Sequence, residues 1–201
     1  MKWIVKVLLL IFVFMISACF TISEERIMLP PDTPDSKIVG MHPKSIDPSR
    51  LPLDSIEDLH TTGTPPKIDI GTWRLEVTGK KVGQPLSLSY QELQKLDTIE
   101  KKVLLICPMF FADYARWEGV PLSRILEMAK TDLSYSKITF KGMDDFTRDF
   151  TKEEIDENLL FLALSVNGQR LPLEHGYPVR LVAEDIFGGK WVKWIKTIEV
   201  N

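Results

Sequence analysis

Between residues 72 and 78 apolar and polar side chains alternate strictly, with Trp73, Leu75 and Val77 set between Thr72, Arg74, Glu76 and Thr78. A period of two is that of a strand with one face in a core. Gly79 to Gly83 supplies the turn out of it, and Leu86–Leu88 predicts a second, short strand. Ser89-Tyr90-Gln91-Glu92 places a hydroxyl at a helix cap and a carboxylate three residues on, a capping box that opens a brief helix through Gln94. Val103-Leu104-Leu105-Ile106-Cys107 is apolar without interruption. Such a run predicts a central strand buried on both faces, and Pro108 ends it at Cys107.

The pattern continues in short pieces. Pro121 starts a helix to about Ala129. Lys137–Phe140 predicts a strand, Thr151-Lys152-Glu153-Glu154 a second capping box, and Leu159–Val166 a buried strand that enters an Asn167-Gly168 hairpin turn. Val179–Ala183 and Val192–Val200 complete the strands. Many short strands with small helices predict an α+β fold with mixed β-sheets rather than a doubly wound sheet.

Residues 20–66 have a different texture. Pro30, Pro31, Pro34, Pro43, Pro48, Pro52, Pro65 and Pro66 are too frequent for helix or central strand. The segment is therefore expected to form no core: flexible from Phe20 to Lys37, then extended along the surface of a domain spanning residues 60–201. Ahead of it, Lys2 and Lys6 form a charged region that precedes an apolar run, Val7–Ile16, which is short for a membrane span. The tetrad Ile16-Ser17-Ala18-Cys19 resembles the bacterial lipoprotein cleavage motif. That resemblance implies removal of residues 1–18, a lipid on Cys19, and residues 19–59 as a lipidated, proline-rich tether. An uncleaved anchor or an ordinary signal peptide fits the same pattern, and either exports the chain.

With 25 basic and 28 acidic residues the formal charge is −3. No broad positive field attracts a nucleic acid. Two cysteines exclude a disulfide-dense scaffold and repeated Cys-x-x-Cys zinc sites. With Cys19 lipidated, Cys107 is a lone thiol in an oxidising compartment, to be accounted for by burial, metal binding or reactivity. The chain holds no dinucleotide fingerprint, phosphate-binding Gly-x-x-x-x-Gly-Lys loop, His-Glu-x-x-His helix or Gly-x-Ser-x-Gly elbow. His42, His60 and His175 are far apart in sequence. Two late segments carry anion-binding chemistry, His175 to Arg180 and Gly188 to Lys193. A basic, solvated edge strand after a glycine turn is the plainer account of them.

Read together, Gly71-x-Trp73-x-Leu75-x-Val77-x-Gly79, Leu88-Ser89-Tyr90-x-x-Leu93, Cys107, Trp117 to Leu122, Asn167-Gly168-x-x-Leu171-Pro172, His175 to Arg180 and Gly188 to Trp194 resemble the sulfite oxidase-like molybdopterin-binding domain. The match runs from about His60 to Val200. It implies that family's α+β fold and a molybdenum-molybdopterin cofactor, with tungsten as the other metal. It places Cys107 at the metal-ligating and catalytic thiolate, a soft ligand suited to such a metal. It places His175 and Arg180 at the pterin and its phosphate, and Lys190, Trp191, Val192 and Lys193 in the loop that closes over the phosphate. His60, Thr61 and Thr62 fall in the segment that lines the pterin.

The chain also departs from the family pattern. Sulfite oxidases carry an active-site tyrosine in the region here reading Gly142 to Phe146, and use arginines near the metal where this chain has Pro108-Met109-Phe110-Phe111-Ala112-Asp113-Tyr114. That apolar loop suits a small neutral or weakly polar substrate, with Arg116 the nearest cation. Asp113, Tyr114 and Asp145 are candidates for proton transfer or support. No haem-attachment Cys-x-x-Cys-His is present, so electrons are expected to leave through an external haem protein or a quinone-linked membrane subunit. The leader and the resemblance together imply an exported, membrane-tethered oxidoreductase, and these departures point away from a sulfite oxidase. The alternative is a cofactor-free lipoprotein that binds a ligand or protein in a pocket lined by Phe110, Phe111 and Trp117; a purely structural tether is a third reading.

Overall fold

The computed structural model describes residues 25–201. The leader and Cys19 lie outside the described residues, and among those described no helix is long and apolar enough to cross a membrane. The elements in chain order are β1 (Ile27–Met28), α1 (Asp35–Ile38), β2 (Ile46–Asp47), β3 (Leu75–Thr78), β4 (Leu86–Leu88), α2 (Tyr90–Leu93), β5 (Ile99–Cys107), β6 (Phe111–Pro121), α3 (Leu122–Met128), β7 (Lys137–Gly142), β8 (Thr147–Thr151), α4 (Lys152–Glu157), β9 (Leu160–Val166), β10 (Gln169–Arg170), β11 (Arg180–Ala183) and β12 (Ile195–Val200).

They form two five-stranded sheets and a small parallel pair. One sheet has the order β4-β3-β12-β7-β8, with β12 parallel to β3 and antiparallel to β7. The other has the order β10-β9-β6-β5, with β11 also on β9. Mixed sheets with four short helices make this an α+β fold. Both capping boxes form: Ser89 and Glu92 satisfy each other's backbone donors at α2, as Thr151 and Glu154 do at α4. Asn167 and Gly168 both take positive φ, 49° and 78°, in the hairpin between β9 and β10.

The apolar run Val103–Ile106 is buried as expected, yet β5 is an edge strand rather than a central one. Val103 and Leu105 enter the main core, while Leu104 and Ile106 face the opposite way. The outward face is covered by the proline-rich segment, and the expectation that this segment forms no core is corrected. Leu29, Ile38 and Ile46 are buried with Leu104, Ile106, Ala112 and Tyr114 in a second cluster. Arg26 is tied to Asp185 by two hydrogen bonds, at 3.0 and 2.5 Å. Proline removes donors without removing apolar area, and each fully buried Ile or Leu contributes roughly 1.5–3 kcal/mol.

The segment after Cys107 differs as well. The loop is only Pro108-Met109-Phe110, because β6 starts at Phe111 and pairs back on β5 with Cys107 opposite Phe111 and Leu105 opposite Asp113. Cys107 thus ends a strand whose hairpin holds it in place.

Candidate functional site

The β5–β6 ladder places Leu105, Cys107, Phe111 and Asp113 on one face, since directly opposed residues share a face and i, i+2 residues do too. That face meets the loop Gly188–Trp194 and the turn before β8 across a cavity of about 310 Å³. His60, Cys107, Phe146, Arg148, Arg180 and Lys193 are among its lining residues, with both glycines of the Gly188-Gly189 pair. A Cβ on Gly188 would lie 2.7 Å from Leu105, whereas at Gly189 it would meet nothing within 4 Å. One glycine lets the loop pack against β5, and the other leaves a backbone open to an occupant.

Arg180 is the first side chain in need of a partner. It opens β11, is 6% exposed, and lies with its guanidinium 4.7 Å from the Trp117 ring and 5.6 Å from the Trp191 ring. Its Nη1 donates to the His175 carbonyl at 3.1 Å, but its Nε has no acceptor. Burial lowers its pKa to about 10, with Asp113 pulling it back up. A buried cation of this kind is costly without an anion.

Lys193 adds a second charge. Its ammonium donates to the carbonyl of Thr62 and, at 2.9 Å, to that of Glu174. Burial, and then Arg180, lower its pKa to about 8. Arg148 adds a third, with Nε on the Gly189 carbonyl at 2.9 Å and its guanidinium 3.9 Å over Phe146. None of the three forms an ion pair within the described residues. Asp144 is the one carboxylate among the lining residues.

Cys107 is half-buried and has no disulfide partner among the described residues. Burial, and secondarily the Asp113 carboxylate, push its thiol pKa up. Among the described residues no three His, Cys, Asp or Glu side chains cluster as a metal site. A metal held at Cys107 therefore needs its remaining ligands from a cofactor. A soft thiol, an orphaned buried guanidinium, two further cations and an open glycine backbone together fit an anionic cofactor with soft ligands.

The sequence-predicted residues separate here. His60, Cys107, Arg180, Trp191 and Lys193 line the cavity together with Thr62. His175 is buried behind it and supplies the carbonyl that holds Arg180; burial, then Arg180, lower its imidazole pKa. Thr61 is exposed and outside the lining. Lys190 is not brought to the cavity: its ammonium pairs with Glu154 at 2.5 Å and lies 4.4 Å over Phe150. Val192 is fully buried, and its carbonyl accepts from Leu181 at 2.8 Å. Trp191 is fixed by its own indole, which donates to the Ile186 carbonyl at 3.0 Å.

Of the supporting candidates, Asp113 holds His60, Tyr114 faces the second cluster, and exposed Asp145 pairs with Lys196 at 3.4 Å. Arg116 turns to Glu100, and Met109 and Phe110 project from the hairpin tip outside the lining. Trp117 is core. Phe146 does line the cavity, but the expected apolar approach is corrected by Arg148 beside it. Arg148 and Asp144 were missed because an ordinary polar side chain in a hairpin carries no local signal of what it faces.

A model of the oxidoreductase molybdopterin binding domain matches residues 61–201. Mitochondrial sulfite oxidase of Mus musculus is 30% identical over 165 residues, which cover 68% of this chain and 30% of that protein. The uncharacterized oxidoreductase YuiH of Bacillus subtilis is 26% identical, over 77% of this chain and 78% of YuiH. Among solved structures, the sulfane dehydrogenase SoxCD of Paracoccus pantotrophus superimposes with a TM-score of 0.62 at 24% identity, covering 68% of this chain and 40% of that one, a likeness of fold. The chain spans less than a third of the mouse enzyme's length. With the model matched over most of the chain, this protein belongs to the oxidoreductase molybdopterin-binding family with the sulfite oxidase-like fold.

Proposed function

We propose that this chain is an exported oxidoreductase, anchored to a bacterial membrane by a lipid on Cys19 and loaded with one molybdopterin carrying molybdenum, or tungsten in its place. It performs two-electron chemistry of the oxygen-atom-transfer type on a small substrate and exchanges electrons with an external partner, a haem protein or a quinone-linked membrane subunit. The observation that carries this reading is the meeting in one cavity of a lone thiol, Cys107, with Arg180 and Lys193, two cations that have no carboxylate partner among the described residues.

In this reading Cys107 ligates the metal, giving up a proton that burial otherwise holds on. Arg180 and Lys193 take the cofactor's phosphate, Trp191 forms a wall, and His60 and Thr62 lie along the pterin. Bound there, the cofactor supplies reversible two-electron redox chemistry, while the protein sets access and electrostatics. Sulfite is not the substrate proposed. Phe146 lines the cavity in the region where sulfite oxidases carry a tyrosine, and the Pro108-Met109-Phe110 turn contains no arginine.

The test is elemental analysis of the full chain exported from a host that makes the cofactor, with mass spectrometry of the mature N-terminus. Near-stoichiometric molybdenum or tungsten, lost in a folded Cys107→Ala variant, supports the reading, as does a lipid-modified Cys19. Well-folded protein with neither metal nor pterin overturns it and leaves a cofactor-free binding lipoprotein.

A further inference from the structure

Asp113 is a buried carboxylate near the start of β6, and both of its hydrogen bonds come from one residue. The His60 backbone donates to Asp113 Oδ1 at 3.2 Å, and His60 Nδ1 meets the same oxygen at 2.8 Å. The imidazole also lies nearly parallel to the Phe111 ring, with 4.5 Å between centroids and 10° between planes. One contact fixes the ring's edge and the other fixes its plane. With Nδ1 committed to Asp113, the free ring nitrogen is Nε2, which has no hydrogen-bond partner among the described residues. The ring is half-exposed, and His60 lines the cavity that contains Cys107. It therefore reaches both the reaction space and bulk water.

A histidine oriented in this way by a carboxylate is built to carry a proton, because the contact at Nδ1 fixes the ring's edge and leaves Nε2 free to take up and release one. We infer that His60, positioned by Asp113, moves protons between the cavity and solvent during the redox reaction proposed above, on which this inference rests. Exchange of an oxygen atom between water and a substrate X balances as X + H2O giving XO, two protons and two electrons. The electrons go to the external partner, and in the reverse direction the same partner supplies them. The protons leave or enter one at a time on His60 Nε2, with Nδ1–H kept on Asp113 throughout.

Other charged groups act on this pair from the surrounding elements. Asp54, on the segment ahead of β3, acts on both His60 and Asp113. Arg180 and Cys107 interact with Asp113 from β11 and β5. Lys193 caps the carbonyl of Thr62, two residues from His60.

Protein-film voltammetry on the metal-loaded full chain tests the inference, since the electrode replaces both substrate and partner. In His60→Gln, which keeps an N–H for Asp113 and cannot shuttle a proton, proton-coupled reduction is expected to slow about 100-fold at neutral pH, within the range for lost acid–base catalysis. The reduction potential should stay where it is. Imidazole in the buffer should restore the rate in His60→Ala, and Asp113→Asn should slow it while metal content is retained. Nitrogen-15 NMR of the wild type should place the neutral proton on Nδ1. An unaltered rate in metal-replete His60→Gln overturns the relay and leaves the proposed function standing. Absence of metal and pterin from folded wild-type protein overturns both.

Discussion

At the scale of single residues, Lys193 shows how burial is converted into a pH dependence. Its folded pKa is lowered to about 8, mainly by burial and then by Arg180, from 10.5 in an exposed lysine. Between those values the unfolded chain holds more protons than the folded one, so stability rises with pH across that window. Below about pH 8 the ammonium is charged in both states and its burial opposes folding throughout. Lys193→Met should therefore flatten the rise in melting temperature between pH 8 and 10.5 in cofactor-free protein. Comparing the variant with wild type removes the titration of other groups, and an equal rise in both would refute the assignment. The contrast with Lys190 is instructive. Two lysines three residues apart were indistinguishable in the sequence, and Glu154 on α4 draws one away while the carbonyls of Thr62 and Glu174 keep the other at the cavity.

At the scale of elements, the sheet that carries Cys107 depends on a close approach between β6 and β9. The register shifts between Glu118 and Gly119, and a Cβ at Gly119 would lie 2.0 Å from the Leu162 carbonyl oxygen and 2.6 Å from Ala163 Cα. Neither backbone can yield cheaply. Gly119→Ala should lower the unfolding free energy by roughly 1–3 kcal/mol or more in denaturant titrations, and a change of a few tenths would mean the strands part without cost. Local signals read well at this scale. The capping boxes at Ser89 and Thr151 and the Asn167-Gly168 turn formed where the residues predicted them, because their partners lie within three positions. The strand β6 escaped notice because its first half is buried on both faces, Ala112 and Tyr114 in one cluster and Ala115 in the other, so the alternation shows only from Ala115 to Gly119.

At the scale of the whole molecule, the proline-rich segment completes the fold. Ile46 is fully buried against Leu104, Ile106 and Tyr114, and truncation to alanine should cost about 2–5 kcal/mol. A tether would lose nothing, so equilibrium unfolding of Ile46→Ala distinguishes the two. Because the same segment covers the back of the strand that ends in Cys107, the variant should also loosen the thiol, measurable as faster labelling by a thiol reagent. What the sequence determined by itself is whatever depends on neighbours along the chain: strand alternation, helix caps, turns, and an ordered set of motifs that resembles the family. Tertiary structure alone decided which side of each strand is wet, which lysine faces the cavity, that Arg148 joins it, and that Asp113 meets His60 across 53 positions. Those outcomes depend on groups distant in sequence competing for a few buried partners, and that competition is settled only when the two sheets close on each other.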